Sequence, residues 1–365
     1  MAYNKKWEKK EERDYQKELT DRFVARLKEA EECVDKGLIW DKPFFTCSQL
    51  PYNAFTKEKY HGGNIISLIS EEFSDPRWLT FNQMKELSKS LDTQLTLEKG
   101  TSASWIMKVV PSYLKDSSGE ILKSSEGKPI PVLNDDGSPK LGYKYFPVFN
   151  ASCVKGLEPY IKPNQEVKPF EVVEMFSEAL KERTGLKVEH SARGKAYYSP
   201  SEHKIHMPNH EFFKSSEAYA DTFFHESGHS TGKAMGRDMS GKFGAEGEAG
   251  KKYAHEELIA ELSSSFLSVE LNIPHNPSSH ENQAAYIKSW LQVLENDKTF
   301  IFKASNQASK AVEYMVGHYN SYKQELEQKQ SMKDSEVEVI NFADKLASSF
   351  AKQKTVQTKS SALSM

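Results

Sequence analysis

His225-Glu226-Ser227-Gly228-His229 is the stretch on which the reading of this chain turns. On an α-helix, residues four apart share a face, so both imidazoles of a His-Glu-x-x-His run can address one metal ion. Glu226 projects beside them, where a carboxylate can take the proton of a metal-bound water. That is the core of a zinc-dependent hydrolase. The flanks favour a helix. Tyr219, Thr222, Phe223 and Phe224 supply bulky residues at helical spacing, and Gly232 supplies a stop. Gly228, between the histidines, leaves room for another segment to approach.

A zinc site needs a third protein ligand and leaves its fourth position to water. The run Tyr253-Ala254-His255-Glu256-Glu257-Leu258-Ile259-Ala260-Glu261-Leu262 offers one from a second, antiparallel helix. Glu257 and Glu261 are four apart and share a face. Glu257 is read as the ligand, and Glu261 as the acceptor of a hydrogen bond from a ligand histidine. Glu256 falls off that face, toward solvent. Leu258, Leu262 and Phe266 surround Glu261 with apolar groups, so a solvated acidic stripe fits it poorly.

The chain around this motif has 365 residues, 38% hydrophobic and 28% charged, enough for two domains of ordinary size. A net charge of -3 gives no bulk attraction to nucleic acid, so any DNA-binding surface is a local patch. Three cysteines, Cys33, Cys47 and Cys153, are odd in number and far apart, with no Cys-x-x-Cys pair. This argues against a disulfide framework or a cysteine zinc site and for a reducing compartment. The first residues lack a signal-peptide core, and no apolar run approaches a membrane span. A cytoplasmic protein with no membrane partner is expected.

The expected fold class is α+β: a mixed α/β domain followed by a mostly helical domain with a small sheet. Residues 5–36 read as an amphipathic helix, with Tyr15, Leu19, Phe23 and Leu27 in one stripe. Ile65 to Ile69 and Ser104 to Val110 read as strands, and Thr80 as the N-cap of a short helix. Residues 115–141, with Ser118-Gly119, Glu126-Gly127 and Asp136-Gly137, read as a projecting hairpin or mobile loop. No internal repeat is evident. Pro159, Pro163 and Pro169 place a boundary near residue 160, dividing the chain into 1–160, 161–330 and 331–365. The second part reads as a helix from Phe170 to Arg183, short strands at 188–190, 196–198 and 204–207, the motif helix, the acidic helix, and long helices within 281–297 and 299–328. The last part reads as one more helix and a disordered Ser/Thr/Lys-rich tail.

Several runs, in this order, carry a resemblance: Tyr197-Tyr198-Ser199-Pro200-Ser201, Ile205-His206-Met207-Pro208, Phe223 through Gly232, Phe243-Gly244, Tyr253 through Glu261, and Ser289 through Leu294. In the first half they are joined by Pro51-Tyr52-Asn53-Ala54, Tyr60-His61-Gly62-Gly63-Asn64, Arg77 through Gln83, Lys99-Gly100-Thr101, Val148-Phe149-Asn150 and Gly156-Leu157. In order and spacing they resemble the ArdC antirestriction family, over most of residues 35–325. Three features depart from the family: Glu98 before Lys99-Gly100, a longer 115–141 segment, and Ser227-Gly228 inside the motif. The resemblance implies an N-terminal single-stranded-DNA-binding domain and a C-terminal zincin-like metallopeptidase domain, on a plasmid, phage or other mobile element that shields incoming DNA.

Single-strand binding needs aromatic platforms and cations. Tyr52, Tyr60, Trp78 and Trp105 are candidates to stack bases. Lys57, Lys59, Arg77 and Lys99 are candidates for phosphates, and Asn53, Asn64 and Gln83 for base edges or sugars. Each also has an ordinary structural reading, the tryptophans as core and the asparagines as turn residues. In the metal domain, Zn²⁺ or Mn²⁺ held by His225, His229 and Glu257, with Glu226 as base, would hydrolyse a peptide. The Ile205–Met207 strand is expected to pair with that peptide, and Tyr197, Tyr198 and His206 are candidate oxyanion or substrate contacts. Two other readings stay open. One is a single-strand-binding factor that recruits transcription or replication machinery around a structural metal. The other is a cytosolic zinc metallopeptidase with no DNA role.

Overall fold

The computed structural model describes residues 14–35, 49–71, 73–162, 168–192, 195–242, 244–274, 290–295 and 297–362. In chain order the elements are α1 (Tyr15–Asp35), β1 (Tyr52–Asn53), α2 (Gly63–Ile69), β2 (Arg77–Leu79), α3 (Phe81–Ser90), β3 (Thr96–Leu97), β4 (Ser104–Pro111), β5 (Leu141–Asn150) and β6 (Val154–Lys155). There follow α4 (Pro169–Thr184), β7 (Lys187–Ser191), β8 (Tyr197–Ser199), β9 (Lys204–Pro208), α5 (Ser216–Ser230), α6 (Gly247–Glu270) and α7 (Phe300–Ala362). The fold is α+β, as expected. One sheet runs β1-β2-β5-β4, a second is the pair β3-β6, and a third runs β7-β9-β8.

The main core joins sequence-distant parts. Phe23 and Leu27 of α1 and Ile65, Ile66 and Ile69 of α2 pack into one apolar cluster with Phe176, Phe223, Phe224, Leu258, Phe266 and Met315 of α4 to α7. Two smaller clusters serve the first sheet, one around Leu79 and Met84 and one around Leu68, Trp78 and Val148. The α1 stripe is thus core, while residues 5–13 and Gly37 lie outside the described residues.

The strand expected at Ile65 to Ile69 is instead helix α2. Its residues are buried on every side, so no periodicity marks them, and a short apolar run of this kind is ambiguous. Distant side chains decide the matter. The Gly62 and Gly63 N–H groups donate to Ser309 Oγ (2.8 Å) and Asn306 Oδ1 (3.2 Å) of α7, and Ser305 Oγ donates to the Gly62 carbonyl (2.8 Å). Orphan donors at a helix start are thereby satisfied from 243 to 247 residues away. Gly62 sits at φ 56°, and a Cβ there would fall 1.6 Å from Asn306 Oδ1.

Other local expectations resolve cleanly. Thr80 caps α3 in a capping box with Gln83, and Pro169 opens α4, which Gly185 ends in the left-handed conformation. Residues 112–140 form a branched arm that does contain a repeat, contrary to expectation. Asp116-x-x-Gly119, Ser124-x-x-Gly127 and Asn134-x-x-Gly137 make the same turn, each glycine N–H donating to the first residue's carbonyl at 2.8–3.0 Å. Each glycine has φ between 75° and 88°. The helices expected over 299–328 and around Val337 to Leu346 are one, α7, which continues into the tail expected to be disordered. No Gly or Pro lies between residues 318 and 362 to break it.

Candidate metal centre

Helix α5 starts at Ser215, whose side chain accepts from the Ala218 N–H, and every residue from Ala218 to Ser230 is buried. Helix α6 packs against it through small residues. A Cβ on Gly228 would lie 3.1 Å from both Ala260 Cα and Ser263 Cβ, so glycine permits the close approach. Ser264 Oγ donates to the Asp221 carbonyl, and Ser268 Oγ to the Asp221 carboxylate.

This packing brings His225, His229 and Glu257 together, with one donor atom from each inside a 4.8 Å span. Glu257 Oε2 lies 3.3 Å from His225 Nε2, and Oε1 lies 3.7 Å from His229 Nε2. Oε2 is buried and makes no hydrogen bond among the described residues, which is the condition a cation would relieve. Two imidazoles and a carboxylate suit a divalent ion such as zinc or manganese.

The opposite ring nitrogens each face a carboxylate of their own. His225 Nδ1 is 3.4 Å from Glu261 Oε2, and His229 Nδ1 is 3.1 Å from Glu256 Oε1. The expectation that Glu256 is solvated is corrected: it is 8% exposed and held by Arg237. Arg237 Nε and Nη2 donate to the two Glu256 oxygens (2.9 and 2.8 Å), Nη2 also to the Gly228 carbonyl (2.7 Å), and Nη1 to Thr231 Oγ1 (2.7 Å). On the helix surface positions 256 and 261 flank Glu257 on opposite sides, so 256 reaches His229 while 261 reaches His225. Arg237, in the loop after the motif helix, carried no sequence signal.

Electrostatics follow from this enclosure. Burial pulls the His225 imidazole down, but Glu257 and Glu261 outweigh it and hold it well above the usual range. His229 is pushed up to about 9 by Glu257 and Glu256 against the same burial. Burial raises Glu257, yet the two imidazoles hold it far below a normal carboxyl. Glu226 is raised, because burial dominates over the neighbouring imidazoles, and its carboxylate accepts from the Tyr198 backbone N–H of β8. Without an ion the cluster thus carries protons that a divalent cation would displace.

The strand expected to receive a peptide is corrected as well. β9, which holds Ile205 to Met207, is the central strand, paired with β7 and β8, and its ladder groups are used. β8 is the edge. Tyr198 OH bonds His203 Nδ1 at 2.8 Å, while Tyr197 is exposed and stacked on His206 with centroids 4.4 Å apart.

The candidate DNA contacts scatter. Trp78 is 2% exposed and packs edge-on against Phe73, so it is core and no platform. Asn53 is buried: its oxygen accepts from the Phe55 and Thr56 N–H groups, and its amide donates to Gln83, which is itself spent on the cap. Asn64 bonds both backbone groups of Met107, and Trp105 stacks on Tyr15. Arg77 is clamped on Asp75 beneath Tyr160, and Tyr60 is half-buried beside Asn53. Lys99 is exposed. Tyr52, Lys57 and Lys59 line a cavity of about 340 Å³ against Val269, Glu270 and Asn272, where Lys59 pairs with Glu270 at 2.6 Å.

Comparison with known proteins agrees with this geometry. Residues 13–134 match the family described as N-terminal domain of anti-restriction factor ArdC, and residues 176–307 the zincin-like metallopeptidase family. The crystal structure of antirestriction ArdC protein from R388 plasmid, metal-free, is 29% identical with a TM-score of 0.61, covering 85% of this chain and 99% of that one. Its Mn(II)-bound form is 27% identical with a TM-score of 0.58, covering 84% and 98%. A DNA primase TraC of Escherichia coli is 30% identical over 88% of this chain, which spans 29% of that primase's length. The uncharacterized protein y4eC of Sinorhizobium fredii (strain NBRC 101917 / NGR234) is 29% identical, over 73% of this chain and 80% of its own length. Among the described residues no helix is long and apolar enough to cross a membrane. An ArdC-type N-terminal domain, a zincin-like domain behind it and a matching solved fold make this chain a member of the ArdC-like antirestriction family.

Proposed function

We propose that this chain is a single-stranded-DNA-binding antirestriction protein of a plasmid or phage. It works in the bacterial cytoplasm, with Zn²⁺ or Mn²⁺ held by His225, His229 and Glu257. The convergence of those three donors in a buried pocket, each imidazole backed by a carboxylate, supports the reading most directly. When bound, the ion supplies Lewis-acid polarisation of a carbonyl. Glu226, its pKa raised by burial and one oxygen fixed by the Tyr198 N–H, holds or passes the proton of a hydrolytic step. An extended peptide adds to the β8 edge, with Tyr197 and His206 beside it.

Glu226→Ala separates chemistry from shielding. It keeps all three ligands, so metal content measured by mass spectrometry stays at one ion per chain while peptide hydrolysis falls. Protection of incoming DNA that survives this change assigns antirestriction to binding alone. A purified protein that holds no divalent ion at all sinks the metal site. The TraC primases favour a second reading, a module that serves DNA replication machinery around a structural metal, because their matched region is joined to a much longer chain.

A further inference from the structure

We propose that single-stranded DNA docks on the open face of the β4–β5 ribbon, with phosphates at Lys108 and Lys144 and a base on Phe146. This rests on the DNA-binding reading above and names its surface. The ribbon register pairs Ile106 with Phe146, Lys108 with Lys144, and Val110 with Gly142 on one face. Nearer the sheet, the same face carries Val148, buried with Trp78 and Leu68. Beyond that the face opens: Lys108 and Lys144 are exposed, and Phe146 is 38% exposed.

Charge decides what this face fits. Two lysines directly opposite on one face repel each other. Neither has a carboxylate partner among the described residues, and β4 and β5 contain no Asp or Glu. The other face of the ribbon is covered where it meets α1, and beyond that it presents Val109, Tyr143 and Leu141 but no cation. At the covered end α1 lays Tyr15 on Trp105 and Tyr145, with centroids 4.4 and 4.8 Å away, and Asp14 stands near Tyr145. The open face thus joins an unneutralised cation pair to an exposed ring in the adjacent row. Rows on one face are about 7 Å apart, which matches successive nucleotides of an extended strand. Of the residues on which a sequence-based expectation falls, Trp78 and Asn53 are buried and Lys59 is paired with Glu270, whereas these three are presented. An acidic polypeptide would satisfy the lysines but gains less from a flat ring in the next row.

The test is anisotropy of a fluorescent oligothymidylate of about twenty nucleotides, titrated with the full chain over a salt series. Lys108→Glu/Lys144→Glu should flatten the slope of log affinity on log salt by about 1.4, two phosphate contacts on a single strand. Phe146→Ala should weaken binding roughly 5- to 150-fold. Lys168→Glu, on the exposed start of α4, should leave both unchanged, and thermal melts of all variants should match the wild type. Wild-type binding that none of the ribbon changes alters overturns the ribbon and spares the DNA-binding reading. An equal loss with Lys168→Glu, or equal displacement by oligoglutamate, also overturns it. Wild type that binds no oligonucleotide even at low salt overturns the DNA-binding reading itself.

Discussion

At the scale of single residues, Arg237 is the side chain on which the metal site leans without touching it. Its side chain is 4% exposed and neutralises Glu256, which would otherwise be a buried carboxylate beside His229. Arg237→Ala should cost about 3–5 kcal/mol, the penalty of stranding one member of a buried ion pair. It should also weaken metal binding roughly 10- to 100-fold, as loss of support behind a ligand histidine does. Calorimetric metal titration checks this, and Arg237→Lys, which restores charge but not the bidentate fork, should recover only part of the affinity. The imidazoles predict a pH dependence. His229 rises from 6.5 to about 9 on folding, so its contribution to the metal-free protein is complete below pH 6.5 and is lost as pH climbs through about 9. A metal ligand must be deprotonated, so ion affinity climbs over the same interval. The gap between melting temperatures with and without ion should widen from pH 6.5 to 9, and a constant gap would count against His229 as a ligand.

At the scale of elements, the sequence was legible where chemistry and period coincide. The histidines four apart, the Glu257/Glu261 pair, the Thr80 cap and the β4 strand each announce themselves within a few residues. Long-range context hid the rest. Helix α2 looks like a strand because its caps come from α7, and Glu256 looks solvated because Arg237 lies in a loop with no pattern of its own. Trp78 and Asn53 could be read either as contacts or as structure, and only the burial of β1 and β2 in the sheet decides. The trans-capping of α2 makes its own prediction. Gly62→Ala adds a Cβ at positive φ and against Asn306, so it should destabilise by about 1–3 kcal/mol, read as a lower melting temperature at unchanged metal stoichiometry.

At the scale of the whole molecule, the two family matches run in sequence while the main core does not. Phe23, Leu27 and the α2 isoleucines belong to the cluster that also supports α5 and α6. Residues 1–160 expressed alone should therefore lack a cooperative thermal transition, although the first sheet keeps two small clusters of its own. A sharp two-state melt of that fragment would show that the sheet suffices. The Gly62–Ser309 bond also bears on how the protein is made. Its partners are 247 residues apart, so at ~5–20 residues per second a ribosome needs roughly 12–50 s between synthesising one and the other. Through that interval the Gly62–Gly63 start of α2 waits for its α7 partners, with only α1 and the first sheet to pack against, so the nascent chain should bind chaperones until α7 emerges.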